Sequence, residues 1–246
     1  MTIEIVVYTM ESAMKAQQGG ADRLELCANP GEGGTTPSYG MIEQVRMHIN
    51  ADVYVMIRPR GGDFLYTNEE YHIMRKDIEA CKRLSVDGVV LGMLLADGTI
   101  DIHKCKKLIA FARPLKVTCH RAFDMTADPY QALEDCIEAG FDRILTSGQQ
   151  SQAIKGVDVI ARLIQQAAGR IIIMPGAGVN KDNVVELVSK TAATEIHFSA
   201  SASRESGMTY HNKQLSMGSD DGTEFTVKTV DPEMIKQVRF ICNGMK

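Results

Sequence analysis

The sequence of 246 residues has few of the features that mark nucleic-acid-binding and membrane proteins. It has no run of basic residues with interleaved aromatics, and its formal net charge is -4, so nucleic acid is not an expected partner. No apolar run reaches the length that a bilayer requires, and the opening Met1-Thr2-Ile3-Glu4 lacks the basic and apolar regions of a signal peptide. The sequence therefore predicts a cytoplasmic protein that does not contact a membrane.

Paired cysteines are also absent. No C-x-x-C motif and no spacing typical of a zinc finger occurs among the six cysteines, which are Cys27, Cys81, Cys105, Cys119, Cys136 and Cys242. In a reducing compartment such cysteines are free thiols, and the ordinary role of each is that of a small buried hydrophobic residue.

Short β-branched runs alternate with amphipathic stretches along the chain. Strands are predicted at residues 3–8, 23–27, 53–58, 88–91, 115–120, 143–147, 171–174 and 195–199. Helices are predicted at residues 38–49, 68–84, 102–112, 129–139, 154–167 and 182–189. Eight strand-helix units without a linker favour a single domain over residues 1–246, an α/β fold with an eight-stranded parallel TIM (β/α)8 barrel. An open doubly wound sheet is the alternative.

Three catalytic signatures are missing from the predicted strands. Residues 9–12, after the first strand, do not form the glycine fingerprint of a dinucleotide site, which disfavours the open sheet. No lysine ends a strand at the lumen, so Schiff-base aldol chemistry lacks its nucleophile. No His-x-His motif opens the first strand, so a binuclear hydrolase cluster is not expected.

The chain after the eighth strand is polar. Residues 201–230 are rich in Ser, Gly and Asp, and an apolar helical stripe returns only at Met234, Ile235, Val238 and Ile241. We interpret 201–230 as a long loop or arm followed by a closing helix, and the arm makes a homo-oligomer a reasonable expectation.

Side-chain alternation predicts which strand residues face the lumen of the barrel. In the second strand, Leu24 and Leu26 suit the helix layer, so Arg23, Glu25 and Cys27 face inward. The same alternation turns Glu4, Glu195 and His197 inward, with Tyr54, Met56, Arg58 and His120. Because buried charges need partners, an ion-pair network within the lumen is as good an explanation of the deep charges as catalysis.

Polar side chains collect where the predicted strands end, which is the functional face of this fold. Arg58 and Arg60 could bracket a carboxylate or phosphate, although Arg58 could instead pair with Glu25, and Arg60 with Asp63. His120 and Glu25 are the acid-base candidates. Further candidates for binding an anion at this face are Arg121, Asp124 and Ser147. Asp124 could either orient the imidazole or cap a turn.

A glycine loop follows the seventh predicted strand. Gly176 and Gly178 lie just before a predicted helix, where backbone amides and a helix N-terminus can bind an anion. Ser199 and Ser201, after the eighth strand, lie where phosphate commonly binds in TIM barrels. Glycines also serve simple tight turns, so the loop by itself does not decide between these two roles.

The motifs at the strand ends occur in a recognisable combination. They are Arg58-Pro-Arg-Gly-Gly-Asp-Phe64, Cys119-His-Arg-Ala-Phe-Asp124, Leu145-Thr-Ser-Gly-Gln149 and Gly176-Ala-Gly-Val179, with Gly20-Ala-Asp-Arg-Leu-Glu-Leu-Cys27 and Glu32-Gly-Gly34 upstream. This combination resembles the CutC family. The resemblance implies a TIM barrel, a cytoplasmic location and a role in copper homeostasis.

Two functional hypotheses follow. In the first, the protein handles copper, with Cys27 and Cys119 as the soft ligands that Cu(I) prefers. Cys119 is less suitable, because the alternation that turns His120 inward turns Cys119 toward the helices. In the second, it is an enzyme acting on a small anionic or phosphorylated molecule, bound by Arg58, Arg60 and the glycine loop. The expected partner is thus a copper ion or a small anionic ligand.

Overall fold

The structure, a computed structural model, describes residues 1–212, 214 and 224–245. Within these residues, no helix combines the length and the apolar character needed to cross a bilayer.

Eight parallel strands form the centre of the molecule. They are β1 Thr2–Val7, β2 Arg23–Leu26, β3 Asp52–Met56, β4 Gly88–Leu91, β5 Lys116–Cys119, β6 Arg143–Thr146, β7 Ile172–Pro175 and β8 Glu195–Phe198. Hydrogen-bonded neighbours follow the order β7-β6-β5-β4-β3-β2-β1-β8. The two end strands β7 and β8 also approach each other, so the sheet is a nearly closed barrel. The predicted TIM barrel is confirmed.

Eight α-helices accompany the strands within the part of the chain that the structure describes. They are α1 Met10–Gln18, α2 Tyr39–His48, α3 Asn68–Arg83, α4 Ile102–Ala112, α5 Pro129–Ala139, α6 Val157–Ala167, α7 Val184–Thr191 and α8 Pro232–Gly244. Sequence periodicity did not locate α1, whose start is fixed by Thr9 because this hydroxyl accepts a hydrogen bond from the Ser12 amide. A full capping box at Thr67 and Glu70 starts α3.

The barrel has two hydrophobic layers. The outer layer joins strand residues such as Leu24 and Leu26 to the helices. A separate, smaller cluster inside the lumen contains Cys27, Tyr54 and Met56, and this agrees with the predicted alternation. The carboxyl ends of the parallel strands lie at one end of the barrel, where the residues after them surround the candidate site.

Residues 201–230 are not one continuous loop. Strand β9 Ser201–Glu205 pairs antiparallel with β10 Thr226–Val230, with Ser201 opposite Val230. The β-branched residues of β10 suit a strand. The predicted loop is therefore wrong at both of its ends, because this short β-branched run lies next to a polar stretch and gives a weak signal. Residues 213 and 215–223 of the predicted arm lie outside the described residues. Helix α8 follows β10 as the predicted closing helix.

Candidate functional site

Four charged side chains fill the amino-terminal half of the lumen, and we call them the paired layer. Arg23 forms ion pairs with both Glu4 and Glu195. Arg143 binds Glu195 through two atoms, with Nε 2.5 Å from Oε2 and Nη2 2.9 Å from Oε1. Although burial opposes ionisation, the hydrogen bond from His197 and the Arg23 charge lower the pKa of Glu4 to about 2. The paired layer is the ion-pair network that the sequence analysis gives as one of two explanations of the deep charges.

A histidine links the paired layer to the carboxyl end of the barrel. His197 Nδ1 lies 2.8 Å from Glu4 Oε1, and its Nε2 lies 3.9 Å from Glu25 Oε2. Burial raises the pKa of Glu25 to about 7, and the Glu4 charge acts in the same direction. Although burial favours neutral imidazole, the Glu25 and Glu4 carboxylates raise the pKa of His197. Glu25 can therefore gain or lose a proton near neutral pH, and His197 lies beside it without a hydrogen bond between the two side chains.

Glu4, Glu25 and His197 also offer three ligand atoms within 4.8 Å of one another, a spacing that could hold a metal ion. The adjacent Arg23 guanidinium already neutralises Glu4, and its positive charge disfavours the binding of a metal cation beside it. Two carboxylates and an imidazole are hard or intermediate ligands, whereas Cu(I) prefers sulfur. This set therefore does not fit Cu(I).

A cavity of about 120 Å³ opens where the strands end, and we call it the mouth cavity. Its lining is Val6, Tyr8, Glu25, Gly33, Met56, Arg58, Phe64, His120, Arg121, Leu145 and His197. The structure thus brings together four of the predicted site residues, Glu25, Arg58, His120 and Arg121. All four come from strands or from the loops directly after them, as the fold requires.

Arg58 is held by backbone carbonyls rather than by a carboxylate. Its Nη1 donates to the carbonyl oxygens of Glu32 and Gly34, the latter at 2.9 Å, and its Nη2 donates to that of Gly62 at 2.7 Å. Among the described residues Arg58 has no ion-pair partner, so the alternative pairing with Glu25 does not occur. Its Nε–H is buried and has no hydrogen-bond partner there. The positive charge is thus fixed beside the cavity without compensation.

The surroundings of His120 favour the neutral imidazole, which accepts one hydrogen bond and has one N–H left to donate. The Ala122 amide donates to Nδ1 at 3.1 Å, so in the neutral ring the proton is on Nε2. Burial, reinforced by the Arg58 charge, lowers the pKa of His120 to about 3. Nε2 is buried without a partner among the described residues, and the ring centroid lies 5.0 Å from that of Phe64. The predicted acid-base role fits His120 less well than a donor role, because its pKa lies far below neutrality.

Asp124 organises the loop after β6 and does not contact the imidazole. Its carboxylate accepts hydrogen bonds from the Thr146 hydroxyl at 2.5 Å and from the Ser147 and Gln149 amides. The same carboxylate accepts from Arg121 Nε at 2.7 Å, and Arg121 Nη2 donates to Ser147 Oγ at 2.9 Å. Asp124 and Ser147 therefore position Arg121 at the cavity.

Arg60 does not belong to the site. Its Nε donates to Glu70 at 2.5 Å, and its Nη atoms donate to Asp63 and to the carbonyls of Gly61, Asp63 and Leu65. These bonds use all five donors, so the rim pairing of Arg60 with Asp63 is correct and binding of an anion by Arg60 is not supported.

The glycine loop and the two serines lie outside the lining of the mouth cavity. A Cβ at Gly176 would lie 2.5 Å from Leu145 and 3.3 Å from His197, so this glycine allows the close approach of β7 to its neighbours. Gly178 is exposed, and its carbonyl accepts from Asn183 at 2.8 Å. Ser199 and Ser201 line a separate cavity of about 40 Å³ with Lys228.

The two predicted copper ligands are in different layers. Cys27 belongs to the lumen cluster, where its thiol donates to Glu25 Oε2 at 3.6 Å, and burial raises its pKa well above the usual value. Cys119 is in the outer layer with Cys105 and Cys136, as the alternation indicated. The two thiols therefore cannot share one metal ion without rearrangement.

Comparison with known proteins agrees with this geometry. The CutC family profile matches residues 1–202. The chain belongs to the CutC family. It is 45% identical over 244 residues to the human copper homeostasis protein cutC homolog, covering 99% of this chain and 89% of that protein. It is 51% identical over 236 residues to a CutC family protein of Parabacteroides distasonis, covering 95% of this chain and 97% of that protein.

Solved structures support the same conclusion. The crystal structure of a CutC protein from Streptococcus agalactiae has 32% identity and a TM-score of 0.77, covering 80% of this chain and 98% of that one. A thiamine phosphate pyrophosphorylase from Pyrococcus furiosus shares the fold alone. Its identity is 15% and its TM-score is 0.60, covering 99% of this chain and 96% of that one. Relatives of this CutC chain thus support a family role in copper homeostasis.

Sequence reasoning missed several members of this CutC site. Alternation predicts that His197 and Glu4 face the lumen, and their strand positions are the available signal, but neither is among the predicted site residues. Phe64 enters the sequence analysis only as part of a motif, yet its ring lies 4.9 Å from the Arg58 guanidinium. Thr146 and Gln149 donate hydrogen bonds to Asp124. Apart from their place in the motif, nothing in the sequence indicates this role.

Proposed function

We propose that this protein is an enzyme that acts on a small anionic molecule bound in the mouth cavity. One observation carries the proposal. Three cavity side chains that are at most 5% exposed, Glu25, Arg58 and His120, each have a buried polar atom without a partner among the described residues. Leaving such atoms unpaired costs about 1–3 kcal/mol each, so a structure retains them where a ligand completes them.

The charge of the cavity supports an anion. The guanidinium of Arg58 donates to carbonyl oxygens and pairs with no carboxylate among the described residues, so its charge is available to an anion in the cavity. Arg121 adds a second guanidinium at the edge of the cavity. Burial raises the pKa of Glu25 to about 7, so this carboxyl group can gain or lose a proton near neutral pH, which is the range where proton transfer is most effective.

A crystal grown with inorganic phosphate, and a second grown with oxalate, would test the proposal. We expect density for an anion within hydrogen-bonding distance of Arg58 Nε. Calorimetric titration with oxalate should show affinity falling by roughly tenfold or more in Arg58→Met. Arg60→Met is the matched control, since it removes an arginine two residues further along the chain whose donors are all committed. A cavity containing only water, with equal affinity in both variants, would contradict the proposal.

Copper binding is a second candidate, supported by the names of the relatives and by one contact. A Cβ on Gly34 would lie 3.2 Å from Cys27 Sγ and 3.5 Å from the Met56 methyl carbon, so a thiol and a thioether lie side by side in the lumen. Sulfur from Cys and Met is the ligand type that Cu(I) prefers. Cys119 lies apart from this pair and is the weaker ligand candidate.

Anaerobic titration with Cu(I) distinguishes the second candidate. Stoichiometric binding should be lost in Cys27→Ser and retained in Cys119→Ser, because only Cys27 lies beside a second soft ligand. Unchanged affinity in both variants would remove copper binding as a function of these cysteines, without affecting the proposal for the mouth cavity.

We also propose a cytoplasmic location and self-association. Six free cysteines, all buried, suit a reducing compartment. The exposed side chains of Met208 and Tyr210, which follow β9, offer apolar surface for a second copy of the chain. Sedimentation equilibrium and imaging of a tagged protein in cells would test these two points.

A further inference from the structure

The donors and the acceptor of the mouth cavity specify a class of substrate. Resting on the proposed function, we infer that the substrate is a short 2-oxo acid, and that the reaction begins with proton transfer from the carbon next to its carbonyl group. The Nε2–H of His120 and the Nε–H of Arg58 bind the carbonyl oxygen, Glu25 removes the proton, and Arg121 binds the carboxylate.

The two donors are fixed in position before a ligand binds. Nδ1 of His120 is held by the Ala122 amide, which leaves Nε2–H as the ring's free donor. Three carbonyl groups accept from three of the four Nη–H groups of Arg58, and its Nε–H is buried without a partner among the described residues. Both side chains also lie against Phe64, with separations of 5.0 Å and 4.9 Å from its ring centroid. Preorganised donors of this kind stabilise an oxygen that gains negative charge during a reaction.

The acceptor is the free Oε1 of Glu25. It is buried without a partner among the described residues, whereas Oε2 accepts from Cys27 and lies 3.9 Å from His197 Nε2. In the proposed step, Oε1 takes the proton from the carbon, the C–H electron pair forms a carbon–carbon double bond, and the carbonyl π pair moves onto oxygen. The enolate oxygen then accepts from His120 and Arg58. Return of a proton to carbon closes the step without an oxidant or a second reactant.

Size and charge restrict the substrate further. The mouth cavity, at about 120 Å³, is small beside typical ligand pockets of roughly 300–1,000 Å³, which suits a compound of few carbons. Arg121 has Nε on Asp124 and Nη2 on Ser147, and its Nη1 has no partner among residues 1–212, 214 and 224–245. Its half-exposed guanidinium can therefore bind a carboxylate at the edge of the cavity.

Exchange of carbon-bound protons for deuterium tests this inference. Pyruvate, 2-oxobutyrate and hydroxypyruvate would be incubated with the protein in D₂O, and the loss of the C3 proton signal followed by NMR. We expect exchange with at least one of them at a rate at least tenfold above that in buffer. Glu25→Gln should abolish the enhancement.

A matched pair of variants isolates the donor of His120. In His120→Asn the amide oxygen can replace Nδ1 as acceptor for Ala122, but the donor at the Nε2 position is lost. In His120→Gln the amide nitrogen can reach the Nε2 position. We expect exchange to fall about 10²- to 10³-fold in His120→Asn and to be partly retained in His120→Gln. Equal loss in both variants would overturn the donor role, provided that urea unfolding finds both folded.

Binding of oxalate separates this inference from the proposed function. Oxalate is a planar dianion that resembles the enolate of a 2-oxo acid. If oxalate binds and Arg58→Met weakens it, but no 2-oxo acid exchanges its proton, the substrate class is wrong and the anion site stands. If oxalate does not bind and Arg58→Met changes nothing, both the inference and the proposed function fail.

Discussion

The paired layer and the mouth cavity contain the same types of side chain in opposite states. In the paired layer, Arg23 and Arg143 meet Glu4 and Glu195 directly. In the mouth cavity, Arg58 donates to carbonyl groups and meets no carboxylate among the described residues, and Glu25 and His120 each have a polar atom without a partner there. Both regions are buried in the lumen of one barrel.

The difference separates structural charges from functional ones. A buried charge whose bonds are complete stabilises one arrangement of strands and has nothing to offer a ligand. A buried charge with an incomplete set of bonds destabilises the empty protein slightly and binds a complementary group strongly. Substitutions in the two regions should therefore have different consequences.

The largest effect is expected from Arg23→Met in the paired layer. It leaves Glu4 and Glu195 with fewer partners in the lumen, and breaking a buried ion pair costs about 3–5 kcal/mol of unfolding free energy. Urea unfolding measures it. Lys190→Met, which removes an exposed pair with Glu186, is the control and should cost far less. Similar costs for both variants would contradict the structural role of the paired layer.

An intermediate effect is expected from Arg58→Met. The carbonyl groups of Glu32, Gly34 and Gly62 lose a charged donor, so the unfolding free energy should fall by about 1.5–3 kcal/mol. Unlike Arg23→Met, this change should also abolish the binding of oxalate measured by calorimetry. An Arg58 variant that lost stability but kept oxalate affinity would show that this residue belongs with the structural charges.

The stability of the mouth cavity should depend on pH through His120. Its pKa is lowered from 6.5 to about 3 by burial and by Arg58, so the unfolded chain takes up the proton first as the pH falls. The contribution of His120 is complete above pH 6.5 and is lost as the pH falls toward 3. Between pH 7 and 5, the unfolding free energy measured in urea should therefore fall more for the wild type than for His120→Gln. Parallel pH profiles would contradict a buried neutral imidazole.

The smallest effect is expected from Arg60→Met at the rim. Its ion pairs with Asp63 and Glu70 are partly exposed, so the change in unfolding free energy should stay within about 1 kcal/mol. Oxalate affinity should be unchanged. A large loss of affinity in this variant would mean that both arginines of the motif bind the ligand.

The sequence by itself determined the barrel and the contents of its lumen. Eight strand-helix units indicated the fold, and alternation within each strand turned Arg23, Glu25 and His120 inward because successive strand residues face opposite sides. The resemblance of the strand-end motifs identified the family. These features depend on local spacing, which a sequence displays directly.

Only the tertiary structure decided which lumen residues are functional. Arg23 meets Glu195 across 172 positions of chain, and the motifs that contain Gly34 and Gly62 do not reveal that their carbonyl groups bind Arg58. Arg58 and Arg60 are alike in sequence, yet one borders the cavity and the other is committed to Asp63 and Glu70. Whether a buried polar atom has a partner depends on contacts between distant segments, and these exist only once the barrel has closed.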